Sequence, residues 1–340
     1  MDTLYTGRMH GFPNLSKAGL EPPLTEESIL SLLVVLGSSI SLVALVFAFI
    51  TYSLFSDLRN LSGTTLMNLL AALFMTQLLY VVGVGGVPDS ELCIALAFAL
   101  QYSRLCTFCW MLLMTHNMHN QFRTGLHLVP VTDNHITKNF LRYSLFGWGL
   151  PFALLSASIL IQYHDKAGKL LDTASLKGQN CWFLDTNAFI YGLLAPSCII
   201  ICATFYFLVR SAIIARYIIS MQADIRTRER MSRKRTLQIL LFSKITIVLS
   251  IVLALAAVSK LSNKSELFWI SYHMAQGSQG ILVSLLVTCN CQVLKLYTRS
   301  LKSRASKHVS CYVNNKSSNN MLSKSTSLQL LTWEPMPDSV

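Results

Sequence analysis

Seven long apolar blocks, separated by shorter polar segments, set the pattern of the chain. They fall near residues 29–55, 62–84, 93–118, 140–162, 187–209, 236–258 and 267–289. Each is long enough to cross the hydrocarbon layer as a helix, which takes about 20 residues. The first is the cleanest, since Ile29 to Phe55 holds no charged residue. Arg104 in the third block and Lys244 in the sixth are costly in lipid, so each is expected to face the bundle, to pair, or to reach for the headgroups. The pattern predicts an all-α membrane protein, a seven-transmembrane helix bundle.

Helix breakers lie inside two of these blocks. Gly147-Trp148-Gly149-Leu150-Pro151 falls in the fourth, and Pro196 in the fifth. Gly147 and Gly149 remove side-chain bulk and let a neighbouring backbone come close. Trp148 can fill the space beside them. Pro151 frees a backbone carbonyl and bends the helix, which a bundle can re-satisfy. Pro196 is a second candidate bend. In the seventh block, Gln276-Gly277-Ser278-Gln279-Gly280 puts polar and small residues at mid-membrane. Gly277 and Gly280 permit close packing there, and Gln279 can hydrogen-bond across helices.

Composition agrees. Of 340 residues, 52% are hydrophobic and 13% charged, about half the charged share of a soluble domain. The net charge of +12 would suit nucleic acid, but the basic residues sit between apolar blocks, where topology explains them better. With the N-terminus outside, the inner loops and tail hold 19 Lys and Arg and the outer segments 7. That asymmetry orients the chain N-out, C-in. Residues 1–28 then form a short extracellular segment, 29–300 the membrane domain, and 301–340, rich in Ser, Asn and Lys, a disordered cytoplasmic tail. No signal peptide is visible, so the first block is expected to act as its own insertion signal. Asn14 and Asn263 open glycosylation sequons on the outer side.

Candidate chemistry is sparse. Cys93 opens the third block and Cys181 lies in the second outer loop. Both face an oxidising compartment in this topology, so a disulfide is permitted, and no other outer cysteine competes. It would pin the loop over the bundle mouth, where Trp182 and Phe183 either cap a cavity or anchor at the interface. Cys106 and Cys109 form a CxxC within an apolar helix, where packing is the expected role. His116 and His119 lack further metal ligands in the sequence. Arg226, Arg228, Arg230, Arg233, Lys234 and Arg235 cluster beside the membrane between the fifth and sixth blocks. They suit anionic lipid, a cytosolic partner, or both. Residues 289–297 read as a short amphipathic eighth helix, with Cys289, Cys291 and Cys311 as acylation candidates. With no nucleophile–base pair and no phosphate loop, neither an enzyme nor a cofactor is expected. A transporter or channel is the rival reading, but the second half does not visibly repeat the first.

Several of these features occur together in one family. The chain resembles the seven-helix domain of secretin/adhesion-class G-protein-coupled receptors. The resemblance rests on GWGLP in the fourth block, Cys93 with Cys181-Trp182, the spacing from Cys93 through Tyr102 to Trp110-Met111, and Ser278-Gln279-Gly280. It covers about residues 29–300. Leu58-Arg59-Asn60-Leu61-Ser62-Gly63, Trp110-Met111-Leu112-Leu113-Met114-Thr115 and the run from Cys289 to Tyr297 are similar to the arthropod Methuselah-like branch. The resemblance implies a multi-pass plasma-membrane receptor that signals from an extracellular peptide or small molecule to a heterotrimeric G protein. It also implies a ligand cavity near Tyr102, Trp148, Trp182, Phe183 and Gln279, with G-protein contacts at Arg59 and the 226–235 cluster. Members of the family usually carry a large outer domain; no cysteine-rich hormone-binding module or autoproteolysis site is recognisable in residues 1–28. An isoform that does not signal by itself is therefore a third reading.

Overall fold

Where side chains point decides what solvent this chain folds in. The computed structural model describes residues 26–55, 60–84, 89–124, 133–165, 186–221, 224–261 and 266–289, together with Val293 and Thr298. Its helices are α1 (Glu26–Leu54), α2 (Leu61–Val84), α3 (Ser90–Thr124), α4 (Asp133–Ser144), α5 (Leu150–Asp165), α6 (Thr186–Phe189), α7 (Ala195–Ser220), α8 (Ile225–Leu261) and α9 (Glu266–Thr288). A π-helical turn, Leu145–Gly149, joins α4 to α5, and a second, Ile190–Leu194, joins α6 to α7. Each of these pairs therefore runs on as one interrupted rod.

The arrangement is inside-out relative to a water-soluble bundle. In α1, Val34, Ser38, Ser41, Leu45, Ala48 and Tyr52 recur every three or four residues and are buried. Val43 and Leu54 are 71% exposed and Leu145 75%, while Ser38, Ser41, Thr65, Thr115 and Thr204 are fully enclosed. Polar side chains thus turn inward and large apolar ones outward over most of the surface. Lipid tails solvate such a surface, and water does not. Among the described residues, six helical rods are long and apolar enough to cross a bilayer, within Leu32–Leu54, Leu61–Val84, Glu91–Arg123, Lys138–Leu160, Thr186–Ser220 and Arg228–Leu261. The seventh expected block is also helical, as α9, but it is more polar than these six. Its Tyr272, His273, Gln276, Gln279 and Ser284 are all buried.

Local signals start several helices. The Asn60 side chain accepts from the Gly63 N–H at 2.8 Å, Asp89 from Glu91 at 3.2 Å and Asp224 from Arg226 at 3.3 Å. An Asx residue at that position satisfies one of the orphan donors of the first turn. The helices outrun the apolar blocks. α3 continues to Thr124, α7 to Ser220, and α8 begins at Ile225, so most of the basic 210–235 stretch is helical. Hydropathy marks only the part of a helix that sits in lipid, which is why the polar extensions escape it.

α3 is the hub. It packs on α2, α5, α7 and both π-helical turns, and every residue from Ser103 to Met111 is buried. That central place keeps its polar residues Gln101, Ser103, Arg104 and Thr107 away from lipid. α1 packs chiefly on α9 and α2, and α8 on α7 and α9.

The two breaker sites share one construction. Each π-helical turn has a glycine at its centre, Gly147 or Gly192, and a proline four residues after that glycine, Pro151 or Pro196. Proline has no N–H, so the carbonyl four residues before it loses its regular partner. In both rods that carbonyl belongs to the central glycine. A wider turn at this point changes the hydrogen-bond register and accommodates the ring. Both glycines also face α3 closely. A Cβ on Gly147 would lie 2.5–2.9 Å from the Trp110 indole, and one on Gly192 would collide with the Gln101 amide. Gly149 is different: a Cβ there meets only Leu145 of its own turn, at 3.7 Å. The close approach expected of both glycines in GWGLP belongs to Gly147 alone.

Two single substitutions check this. Gly147→Ala is expected to lower stability by about 1–3 kcal/mol, the usual cost of overpacking a filled site. Gly149→Ala is expected to be neutral or to stabilise by up to about 1 kcal/mol, as Gly to Ala does in an open helical position. Thermal unfolding of the purified protein in detergent reads both; equal shifts would contradict the assignment.

Candidate functional site

Polar residues of α2, α3 and α9 line a cavity between the helices. Thr76 on α2, Arg104, Thr107 and Phe108 on α3, Leu193 of the second π-helical turn, Leu249, Val252, Leu253 and Ala256 on α8, and Tyr272, Gln276 and Gln279 on α9 line it. The space free of atoms there is about 390 Å³, a volume that includes open solvent. Its polar lining is Thr76, Arg104, Thr107, Tyr272, Gln276 and Gln279. Arg104 Nη2 donates to the Tyr272 hydroxyl at 2.7 Å. Beside it, the Tyr80 hydroxyl and His273 Nδ1 form a short hydrogen bond, and Trp269 stands edge-on to the His273 ring with centroids 4.2 Å apart. Thr76 and Thr107 donate to backbone carbonyls of their own helices, Ala72 and Ser103, at 2.8 and 3.0 Å.

α9 is tied to α1 and α2 next to this cavity. The Ser41 hydroxyl donates to the Gly277 carbonyl and accepts from the Ile281 N–H at 3.2 Å. It therefore bridges both ends of one rung of the α9 ladder. Gln77 Nε2 donates to the same carbonyl at 3.4 Å. Ser41 can reach it because Gly277 and Gly280 carry no Cβ; one on Gly280 would lie 2.7 Å from Ser41 Cβ.

A second polar cluster holds the fourth rod. The Tyr102 hydroxyl donates to the Trp148 carbonyl at 3.0 Å, inside the turn that Pro151 disturbs. Trp148 Nε1 donates to Asn68 Oδ1 at 3.4 Å, and the Trp148 ring meets Trp110 edge-on, centroids 5.9 Å apart. Gln101 Nε2 reaches the Ala188 carbonyl at 3.4 Å, just before the second π-helical turn. Adjacent residues of α3, Gln101 and Tyr102, thus each serve one interrupted rod.

A bundle with this motif set has known counterparts. The model of the secretin family of seven-transmembrane receptors matches residues 27–283, three quarters of the chain. This chain belongs to that family. Adhesion G protein-coupled receptor E3 of Homo sapiens is 29% identical over 205 residues, which cover 59% of this chain and 29% of that protein. Adhesion G-protein coupled receptor G4 of Homo sapiens is 31% identical over 177 residues, 51% of this chain and 5% of its own length. Adhesion G protein-coupled receptor L4 of Danio rerio is 29% identical over 181 residues, 52% of this chain and 22% of its own. The chain thus spans less than a third of the length of these curated relatives. The family consists of receptors rather than enzymes, and its members are multi-pass proteins of the plasma membrane.

The residues singled out from the receptor sequence fall into distinct places. Gln279 lines the cavity, whereas Tyr102 and Trp148 clamp the fourth rod to α3 and α2. Pro151 and Pro196 each follow a π-helical turn. Cys93 is buried and disulfide-bonded. Cys106 and Cys109 are free and buried. His116 packs edge-on against Tyr143 and Phe207. Of the basic cluster, Arg226, Arg228, Arg230, Arg233 and Lys234 are exposed, but Arg235 lies over the Phe122 ring of α3, 5.2 Å from its centroid. Arg104 faces the bundle, while Lys244 is exposed on its outside. Asn14, Arg59, Cys181, Trp182, Phe183, Asn263, nearly all of the 289–297 segment and the tail lie outside the described residues.

Sequence reasoning missed Ser41, Tyr80, Tyr272, His273 and Gly192. Only Gly192 carried a usable signal, its spacing to Pro196 being the same as that of Gly147 to Pro151. Tyr102→Phe keeps the ring and removes the donor to the Trp148 carbonyl. It is expected to cost about 1 kcal/mol, the usual net worth of one hydrogen bond. Thermal unfolding of the receptor measures it, and a stability equal to that of the parent chain would show that the clamp carries no energy.

Proposed function

We propose that this chain is the membrane domain of a G-protein-coupled receptor, signalling from an extracellular ligand to a heterotrimeric G protein. The family match over residues 27–283 carries the reading. In it α9 is the seventh span. Its His273, Gln276, Gln279 and Ser284 are buried, so they need not meet lipid. The N-terminus is outside and the C-terminus inside, in keeping with the excess of Lys and Arg in alternate loops. Asn14 and Asn263 are then available for glycosylation. The disulfide at Cys93 is made with Cys181, which supports a loop held over the bundle mouth with Trp182 and Phe183 at the ligand entrance. On the motifs from Leu58 to Gly63 and from Trp110 to Thr115, we place the chain nearest the Methuselah-like branch. The 289–297 segment serves as a juxtamembrane eighth helix.

Activation shifts the bundle between two packings, and a ligand does this only through different affinities for the two. The interrupted fourth and fifth rods are where such a change is cheapest, since their ladders are already broken at Pro151 and Pro196. On the inner side, Arg226, Arg228, Arg230, Arg233 and Lys234 stand exposed along the start of α8 and face the G protein, with Arg59 in the first inner loop. Arg235 has a different part. Stacked on Phe122, it ties α8 to α3 and holds the inner ends together.

Neutralising Arg226, Arg228, Arg230, Arg233 and Lys234 together is expected to lower cAMP or calcium output about tenfold at unchanged surface level. That corresponds to about 1.4 kcal/mol, modest for five exposed charges. Arg235→Ala alone is expected to raise basal output instead. Normal signalling from the five-fold variant at normal surface expression would remove the docking role.

A further inference from the structure

Lys244 is a cation on the lipid-facing side of α8. It lies within the part of that helix apolar enough to cross a bilayer, and its side chain is exposed. Its neighbours on the same face, Leu240, Ile247 and Ile251, are 47%, 46% and 52% exposed, so lipid surrounds it. Among the described residues, Lys244 makes no hydrogen bond or ion pair. Glu229, the one carboxylate of α8, is 15 residues and about 22 Å away along the axis. A charge in that setting is costly unless something meets it.

The helix itself says from which side a partner comes. Cα–Cβ bonds tilt towards a helix N-terminus, so Lys244 leans towards the basic end of α8. Arg226, Arg230, Arg233, Leu237, Leu240 and Lys244 follow one another at alternating steps of four and three residues, which puts them on one face. Ile247 and Ile251 continue the same sequence of steps. One face of α8 thus runs from exposed apolar side chains, through Lys244, to exposed arginines. Arg233 is the arginine of this face nearest the membrane, about 17 Å below Lys244 at 1.5 Å per residue.

Resting on the receptor reading above, which puts the basic end of α8 on the inner side, we propose that this face binds one anionic phospholipid of the inner leaflet. Its phosphate lies between Lys244 and Arg233, and an acyl chain runs along Leu240, Ile247 and Ile251. Lys244 sits eight residues, about 12 Å, beyond the start of the apolar block at residue 236. Its stem covers part of that depth by reaching for the headgroups, and the headgroup is drawn in over the rest. The low dielectric there strengthens the attraction relative to water. A zwitterionic headgroup brings its own cation and offsets the two on the helix. Free phosphate meets both cations and leaves the apolar stripe uncovered.

The test is native mass spectrometry of the purified full chain in detergent, counting lipid adducts. Probes are phosphatidylserine and phosphatidylglycerol, with phosphatidylcholine as comparator and inorganic phosphate as competitor. The expected result is one adduct of either anionic lipid, bound about tenfold or more tightly than phosphatidylcholine and retained in millimolar phosphate. Lys244→Leu removes a charge from an apolar face, so folding is not at stake, and it is expected to weaken that adduct about fivefold. Lys244→Arg is expected to keep it. Arg233→Gln is expected to match Lys244→Leu, whereas Arg226→Gln, on the same face but farther from the membrane, is expected to change it by less than about twofold. The proposal is overturned if phosphatidylcholine binds as tightly, if phosphate displaces the lipid, or if Lys244→Leu binds like the parent. An equal loss in Arg226→Gln and Lys244→Leu also overturns it, since diffuse surface charge would then suffice. Second-messenger output is measured in parallel. Selective lipid binding without any G-protein response sinks the receptor reading alone, whereas signalling without selective binding sinks this inference alone.

Discussion

Two prolines within lipid-facing helices impose the constraint that the bundle is built around. In water a loosened carbonyl finds solvent; in hydrocarbon it must find protein. Pro151 and Pro196 each disturb the ladder of a rod whose outer face is apolar. The answer in both cases is a π-helical turn whose central glycine lies against α3, with a polar side chain of α3 reaching the disturbed region. Tyr102 donates to the Trp148 carbonyl, the neighbour of the loosened Gly147 carbonyl, and Gln101 to the Ala188 carbonyl, one turn before that of Gly192. Since both donors come from consecutive residues of one helix, the register of α3 against the fourth rod fixes its register against the fifth.

The same logic explains why polar residues are so frequent inside. Dispersion and shape hold membrane helices together once they are in lipid, because apolar contact alone gives no advantage over lipid tails. Small residues then permit close approach, and hydrogen bonds choose among the possible registers. Ser41 does both at α9. Its small side chain fits against Gly280, and its hydroxyl bridges Gly277 and Ile281. Gln77 adds a donor from α2, so three helices meet at one backbone carbonyl. Thr65, Thr76, Thr107, Thr115, Thr204 and Thr246 bond within their own helices, which lets them be buried without a partner elsewhere.

The helices were legible because lipid demands a run of apolar residues, and that demand is local in sequence. The ends of α3, α7 and α8 were not, since beyond the headgroups a helix is held by capping and packing. The importance of GWGLP was legible; which of its glycines is pressed against a neighbour was not, because that depends on where Trp110 lies. The cost of a cation in lipid leaves Arg104 to face the bundle, to pair or to reach for the headgroups, and does not choose among these. Its partner Tyr272 lies 168 residues away and cannot be found from spacing. Arg235 reads as one more cation of a basic cluster, and only the position of Phe122 separates it from the exposed ones. Gly192 was within reach, because Gly192 and Pro196 repeat the spacing of Gly147 and Pro151 in a second apolar block.

α3 also sets how far a disturbance at the cavity extends. Arg104 and Phe122 are carried by the same uninterrupted helix, 18 residues and about 27 Å apart at 1.5 Å per residue. One end contacts Tyr272 on α9, and the other lies beneath Arg235 on α8. Just before Arg104 on the same helix, Gln101 and Tyr102 hold the two interrupted rods. A close-packed helix transmits displacement along its length because its surroundings are not compressible. An occupant that drew Arg104 away from Tyr272 would therefore act on a helix whose far end is stacked under Arg235. The broken ladders of the fourth and fifth rods offer the least resistance to that movement, whereas α1, α2 and α9, joined at the Gly277 carbonyl, offer the most. The bundle is thus divided into a tied half and a compliant half, with α3 forming the boundary between them.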